Sequence, residues 1–217
     1  MERLLACLLV SAVPPLFAQT GEPPTSWIDP DTGHRVIRLA REPGSASLYF
    51  NQNGYTADGK KLLYTTPEGI SVLDLATRQA RQVVQGRVRL IEAGRKTQRA
   101  YYIREGAVFW TDVDTGQTRK IAALPPRGST ATVNADETLL AGTYVEGSGP
   151  DYRGAPAQQT RTLEQPRGRG QMIEQRWAAR LPMGLFMVNV QTGEIKTIHR
   201  TNDWLTICCS LPPIRRC

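Results

Sequence analysis

Between Cys7 and Cys208 the chain has no cysteine. No disulfide framework can therefore hold its body together, and the fold has to rest on packing and backbone hydrogen bonds. Histidine is almost as scarce, with only His34 and His199. There is no Cys-x-x-Cys pair, so this inventory does not assemble a His/Cys metal centre. Only 7% of the residues are aromatic. Beyond the N-terminus, no stretch is long and apolar enough to span a bilayer, so no membrane span is expected. Runs of like charge are also missing, which argues against a nucleic-acid-binding tail.

The chain has 217 residues, 40% of them hydrophobic, enough for one packed domain. Its 19 glycines and 15 prolines favour many short strands over long helices. The formal charge is +7, which suits an acidic ligand such as a polyuronate, a nucleic acid or a membrane surface. At the N-terminus, Met1-Glu2-Arg3 precedes an apolar stretch from Leu4 to Phe17, with Ala18 as a small residue for cleavage. Residues 1–18 therefore read as a signal peptide, and the protein as exported, to the periplasm or beyond the cell. A lipobox at Cys7 and a cytosolic chain with a buried N-terminus are the alternatives.

One pattern recurs along the chain. It appears at Asp31–Ile37, Asp74–Val83, Asp112–Ile121 and Asn189–Ile198. Each copy reads as strand, tight turn, strand, with Thr-Gly in three of the turns because glycine accepts positive φ. Asp74 and Asp112 are 38 residues apart, close to the period of a four-stranded propeller blade. A second hairpin signal, Tyr55–Tyr64 and again Val133–Leu140, supplies the other half of a blade. The expected fold is all-β, an incomplete β-propeller: a hairpin at 28–38 and blades at about 47–84, 88–122 and 130–199. The third is swollen by an insertion at 146–182, and a further strand is expected near Trp204. An ordinary β-meander is the competing reading. Propeller geometry puts the Asp and Thr-Gly turns on one face and the irregular loops on the other, where function tends to sit.

The insertion carries Arg153, Arg161, Arg167, Arg169, Arg176 and Arg180 without a lysine. Its second part, Gln171 to Arg180, reads as a short helix in which Ile173 and Trp177 pack inward and Arg176 and Arg180 share a face. Like charges at that spacing repel, and an anionic ligand would relieve them; a solvated basic face is the plainer account. Asn51, Gln52, Asn53 and Tyr55 are either a polar cluster at a channel mouth or the turn after a strand at Leu48-Tyr49-Phe50.

Several stretches in order resemble the oligogalacturonate lyases: Trp27–Val36, Arg41-Glu42-Pro43-Gly44-Ser45 with Ser47–Phe50, Val133–Thr138, Glu174–Arg180 and Asp203-Trp204-Leu205. The resemblance implies a seven-bladed propeller that degrades short pectin fragments by β-elimination. It implies Arg180 as the catalytic, carboxylate-neutralising arginine, and Arg176, Arg41, Ser45, Tyr49 and Asn53 as substrate-binding residues. It also implies a divalent metal (Mn²⁺) and a histidine base soon after Asp-Trp-Leu. Here Thr206-Ile207-Cys208-Cys209-Ser210 follows instead, and the metal ligands expected from later blades are absent. Residues 206–217 read as an aberrant tail, consistent with a frameshift or with a different C-terminus. The expectation is an inactive, truncated lyase; a non-catalytic exported propeller binding anionic sugars or a protein partner is the alternative, and an unstable gene fragment the third.

Overall fold

The computed structural model describes residues 24–147, 174–175 and 177–205. The proposed signal segment, the tail 206–217, Ile173, Arg176 and most of the insertion lie outside the described residues. The chain divides into two compact units, residues 1–39 and 40–217.

In the first unit, β1 (Ser26–Ile28) and β2 (Arg35–Ile37) form an antiparallel hairpin. Its turn is capped by Asp29, whose Oδ1 accepts the Thr32 amide (2.8 Å) and hydroxyl (2.7 Å). Asp29, not Asp31, is thus the first copy's counterpart of Asp74 and Asp112.

The second unit is three four-stranded antiparallel meanders. The first holds β3 (Ala46–Ser47), β4 (Lys61–Thr66), β5 (Gly69–Asp74) and β6 (Ala80–Gln85). The second holds β7 (Arg89–Ala93), β8 (Arg99–Arg104), β9 (Ala107–Asp112) and β10 (Thr118–Ala123). The third holds β11 (Ser129–Val133), β12 (Leu139–Val145), β13 (Met183–Asn189) and β14 (Ile195–Thr201). These are the three blades expected from the repeat, within two residues at each end. Trp204 and Leu205 form no strand. The first strands of neighbouring blades, β7 and β11, lie side by side, which makes them the inner strands.

Alternation along each strand sends successive side chains to opposite faces. On β8, Ala100 and Tyr102 enter the core shared with blade one, beside Leu63, Ile70 and Val72. Tyr101 enters the core shared with blade three, beside Val133, Leu140 and Phe186. Both tyrosines are fully buried, and each such side chain contributes roughly 1.5–3 kcal/mol of transfer free energy.

The repeat is visible atom by atom. Asp74 Oδ1 accepts the amides of Ala76 and Thr77, Asp112 Oδ1 those of Asp114 and Thr115, and Asn189 Oδ1 those of Gln191 and Thr192. Each outer strand then bulges at the last residue of the copy, between the pairs flanking Val83, Ile121 and Ile198. Seven residues after the capping Asp, Arg81 and Arg119 donate to the Val113 and Gln191 carbonyls of the next blade. Glu137 joins blades two and three. Its carboxylate accepts the amides of Lys96 and Thr97 and the hydroxyls of Thr97 and Tyr101.

One expected element is different. Register pairs Ala46 and Ser47 with Thr65 and Tyr64, then resumes with Gly54 O accepting from Leu63 N (2.8 Å) and Tyr55 bridging Leu62. Leu48-Tyr49-Phe50, one candidate strand, therefore leaves the sheet: Leu48–Asn53 is a loop set into the innermost strand of blade one. Its backbone amides bond within the loop, and its Gln52 and Asn53 side-chain amides reach the neighbouring blade.

Candidate functional site

The loops that join second to third strands, and each blade to the next, share one end of the sheets. Blade three carries the largest of these loops between β12 and β13. Its base is closed by the Glu146 amide donating to Pro182 O (2.8 Å). Where the chain returns to β13, Glu174–Gln175 and Trp177–Ala178 are helical, with the Ala179 amide donating to Gln175 O (3.0 Å). Arg180 ends this turn at φ 44°, the left-handed conformation that terminates helices.

That terminus sets the side chain. The Arg180 guanidinium carbon lies 4.5 Å from the centre of the Trp177 ring, and Nη1 donates to Asp203 Oδ1. Asp203 is fixed in turn by its amide donating to Thr201 Oγ1 (3.0 Å) and by the Thr201 hydroxyl donating to Oδ2 (3.3 Å). Trp177 is 59% exposed, a correction to the expectation that it packs inward: its ring is a plate under a cation. A cation–π contact at an exposed site contributes about 0.5–1 kcal/mol, and the exposed ion pair no more than that. Their effect is orientation. A guanidinium has five N–H donors in a planar fork, and the Asp203 contact uses one edge.

Other cations cluster at the same end of blade three. Arg200 Nε donates to Glu146 Oε1 (2.9 Å), which also accepts the Tyr144 hydroxyl (3.3 Å). Arg127 Nη1 donates to Gly147 O (2.6 Å). On blade two, Arg104 lies over the Phe109 ring at 4.8 Å. Sequence reasoning singled out neither Arg127 nor Arg200. The signal was there: both stand at ends of strands or loops on the irregular side of the repeat.

The remaining expected site residues sit on blade one, in two places. Arg41 and Ser45 flank a loop in which the Arg41 amide donates to Glu42 Oε2 (3.1 Å) and the Ser45 amide to Glu42 O (3.2 Å). Glu42 Oε1 accepts the hydroxyl of Tyr64 (3.2 Å), whose phenol is pushed up by burial first and by this carboxylate second. Tyr49 and Asn53 belong to the excursion in the innermost strand. Asn53 Nδ2 donates to Tyr55 O (2.9 Å) and to Ala93 O of blade two (3.2 Å), so its amide braces the fold. Arg180 is thus brought to Asp203, a partner that sequence reasoning placed in a motif but not beside it.

His199 lies on β14, the outer strand of blade three, and is exposed; His34 lies in the hairpin turn. Among the described residues no group of three or more His, Cys, Asp or Glu could hold a metal ion, so the described residues do not fit the divalent cation that the resemblance implies. One buried carboxyl stands out on the inner strand β7. Glu92 Oε1 accepts the Thr132 hydroxyl (2.9 Å) while Oε2 has no partner among the described residues. Burial pushes this group up, and the Thr132 bond only partly opposes it. A cavity of about 390 Å³ lies elsewhere, at the tight-turn end between blades two and three. Its Arg99 lies over Trp110 (4.0 Å) and its Arg119 is bonded to Gln191, so it is a seam between blades with its polar groups already engaged.

No protein-family model matches the chain, and no curated protein does. Solved structures with the same fold include two oligogalacturonate lyases. One is an oligogalacturonate lyase in complex with manganese: 22% identity and a TM-score of 0.69 over 87% of this chain and 50% of that one. The other is an oligogalacturonate lyase from Vibrio parahaemolyticus: 22% identity and a TM-score of 0.64 over 82% of this chain and 47% of that one. The chain is a β-propeller fold that spans about half the length of these structures.

Proposed function

We propose that this chain binds short galacturonate oligomers through Arg180, on a propeller related to the oligogalacturonate lyases of pectin catabolism, and that it does so without turning them over. The observation that carries this reading is the Arg180 guanidinium, laid on Trp177 and aligned by Asp203 on the irregular face of a fold shared with two such lyases. A planar fork of N–H donors, half-exposed, is the donor geometry that matches a carboxylate. Arg176, four residues earlier, is the second arginine proposed for the same ligand.

In β-elimination, a base takes the proton from C5, the C5–H electron pair forms the C4–C5 double bond, and the C4–O bond breaks as its oxygen leaves and is protonated. Negative charge builds on the uronate carboxylate as C5 loses its proton. An arginine there stabilises that charge where it develops. Arg180 is assigned the contact with that carboxylate. No base is assigned: residues 206–217 contain no histidine, and the resemblance offers no other group. No step is assigned to a metal. We read residues 1–18 as an export signal, which places the ligand outside the cytoplasm.

Titration calorimetry with digalacturonate tests the reading. Arg180→Ala is expected to weaken binding by about tenfold or more, the magnitude of a lost charge-assisted hydrogen bond. Arg180→Lys should recover part of it, since an ammonium lacks the fork. Equal affinity in all three proteins overturns the assignment. With Mn²⁺ present, no UV-absorbing unsaturated uronide is expected; its steady accumulation would show that a base is present and overturn the non-catalytic part.

A further inference from the structure

The excursion Leu48–Asn53 has a feature that the carboxylate site does not use. Tyr49 and Phe50 are 62% and 87% exposed, and their ring centres are 4.5 Å apart at 47°. The backbone beneath them is held firmly. Gln52 Nε2 donates to Ile91 O (3.0 Å) and Asn53 Nδ2 to Ala93 O (3.2 Å), both on the inner strand of blade two, while the Ala93 amide donates back to Asn53 O (2.8 Å). Within the loop, the Tyr49 amide donates to Gln52 Oε1 (3.2 Å) and the Gln52 amide to Tyr49 O (2.8 Å). The β7 bulge between the pairs of Leu90 and Glu92 leaves Ile91 out of the ladder, which frees its carbonyl for Gln52. Two apolar rings are therefore presented to solvent by a loop braced from two sides.

We infer that Phe50, the more exposed ring, is a stacking platform for the pyranose ring of an acidic sugar, with the ring of Tyr49 set at an angle against it as a side wall. One face of a pyranose carries axial C–H bonds with slight positive charge, and an aromatic face carries the negative part of its quadrupole. Size selects a small ligand. Two such rings offer on the order of 300–500 Å², well short of the roughly 1,200 Å² of a stable protein interface. The formal charge of +7 selects an acidic one. This choice of sugar rests on the galacturonate reading above; the platform itself rests on exposure and bracing. Gln52 and Asn53 then act as positioning residues, their amides spent on holding the rings.

Calorimetry with trigalacturonate on the full chain decides. Phe50→Ala is expected to weaken binding about fivefold, the order of one aromatic contact, with Phe50→Trp close to wild type and the melting temperature unchanged in both because the ring is exposed. Wild-type binding that Phe50→Ala and Tyr49→Ala leave intact overturns the platform while the Arg180 reading stands. No binding of trigalacturonate by the wild type overturns both. Binding of single-stranded oligodeoxythymidylate that is more sensitive to Phe50→Ala than sugar binding shows a base-stacking surface and overturns the sugar assignment.

Discussion

The two ends of the blades are built on opposite rules. At the tight-turn end the same atoms recur: an Asp or Asn caps each turn, and in blades one and two an arginine seven positions later reaches the next blade. At the other end the blades part company. Blade one has a short turn at Pro67–Glu68, blade two one at Glu105–Gly106, and blade three a loop from Glu146 to Pro182 that returns through Trp177 and Arg180. Repetition marks what every blade needs in order to stack; departure from it marks what one blade does alone. Substitutions at the first end should therefore cost stability, and at the second, ligand.

The sharpest test of that division is Glu137. Its carboxylate accepts two backbone amides and two hydroxyls from blade two. Glu137→Ala leaves these donors unpaired in a buried seam, where each can cost about 1–3 kcal/mol. The expected loss is on the order of 3 kcal/mol or more, read as a large drop in urea midpoint, whereas Arg180→Ala at the other end should leave the midpoint unmoved. A smaller effect separates two glycines at the same turn position. Gly116 and Gly193 have φ of 75° and 76°, but a Cβ on Gly116 meets nothing, while one on Gly193 would lie 2.4 Å from Ile121 O. Gly116→Ala should cost about 1–2 kcal/mol, the penalty of the left-handed conformation alone. Gly193→Ala should cost clearly more, because a backbone carbonyl of the neighbouring blade must move. Equal losses would mean that the turn of blade three does not bear on blade two.

This division also explains what could be read from the sequence. The repeat was legible because a capping Asp, a Thr-Gly and an alternating strand are local signals, and stacking merely multiplies them; blade limits followed within two residues. Four things were not. The excursion at Leu48–Asn53 is stabilised by Ile91 and Ala93 of another blade, a contact across about 40 residues with no local signature. Trp177 was assigned inward from helical spacing, but the turn it sits on stands at the surface and a cation covers the ring. The pairing of Arg180 with Asp203 depends on a loop return and a strand end meeting, which no periodicity encodes. In sequence Glu137 is one polar residue of a turn; that it is buried and shared by two blades is a property of stacking.

The smallest expected effect concerns the charge on the turn caps. Amide bonds from Thr77, then its hydroxyl, hold the Asp74 carboxyl below the usual carboxylate range. At Asp29 the hydroxyl and amide of Thr32 do the same. At Asp112 burial pushes upward, yet the amides of Thr115 and Asp114 outweigh it. A group whose folded-state pKa is depressed stabilises the fold at pH above its unfolded value, about 3.9 for Asp, and that contribution is lost as pH falls through the folded-state value. Blade three makes the same turn with a neutral Asn189, so the cap needs an acceptor oxygen and not a charge. Asp74→Asn should therefore lower the melting temperature at pH 7 only slightly, by the share the charge contributes, and lessen its fall between about pH 5 and pH 2, whereas Asp74→Ala should lower it more, and at both pH values. If Asn and Ala behave alike at pH 7, the charge at the turn matters in blade one as it cannot in blade three, and the tight-turn ends of the blades are not built by one rule.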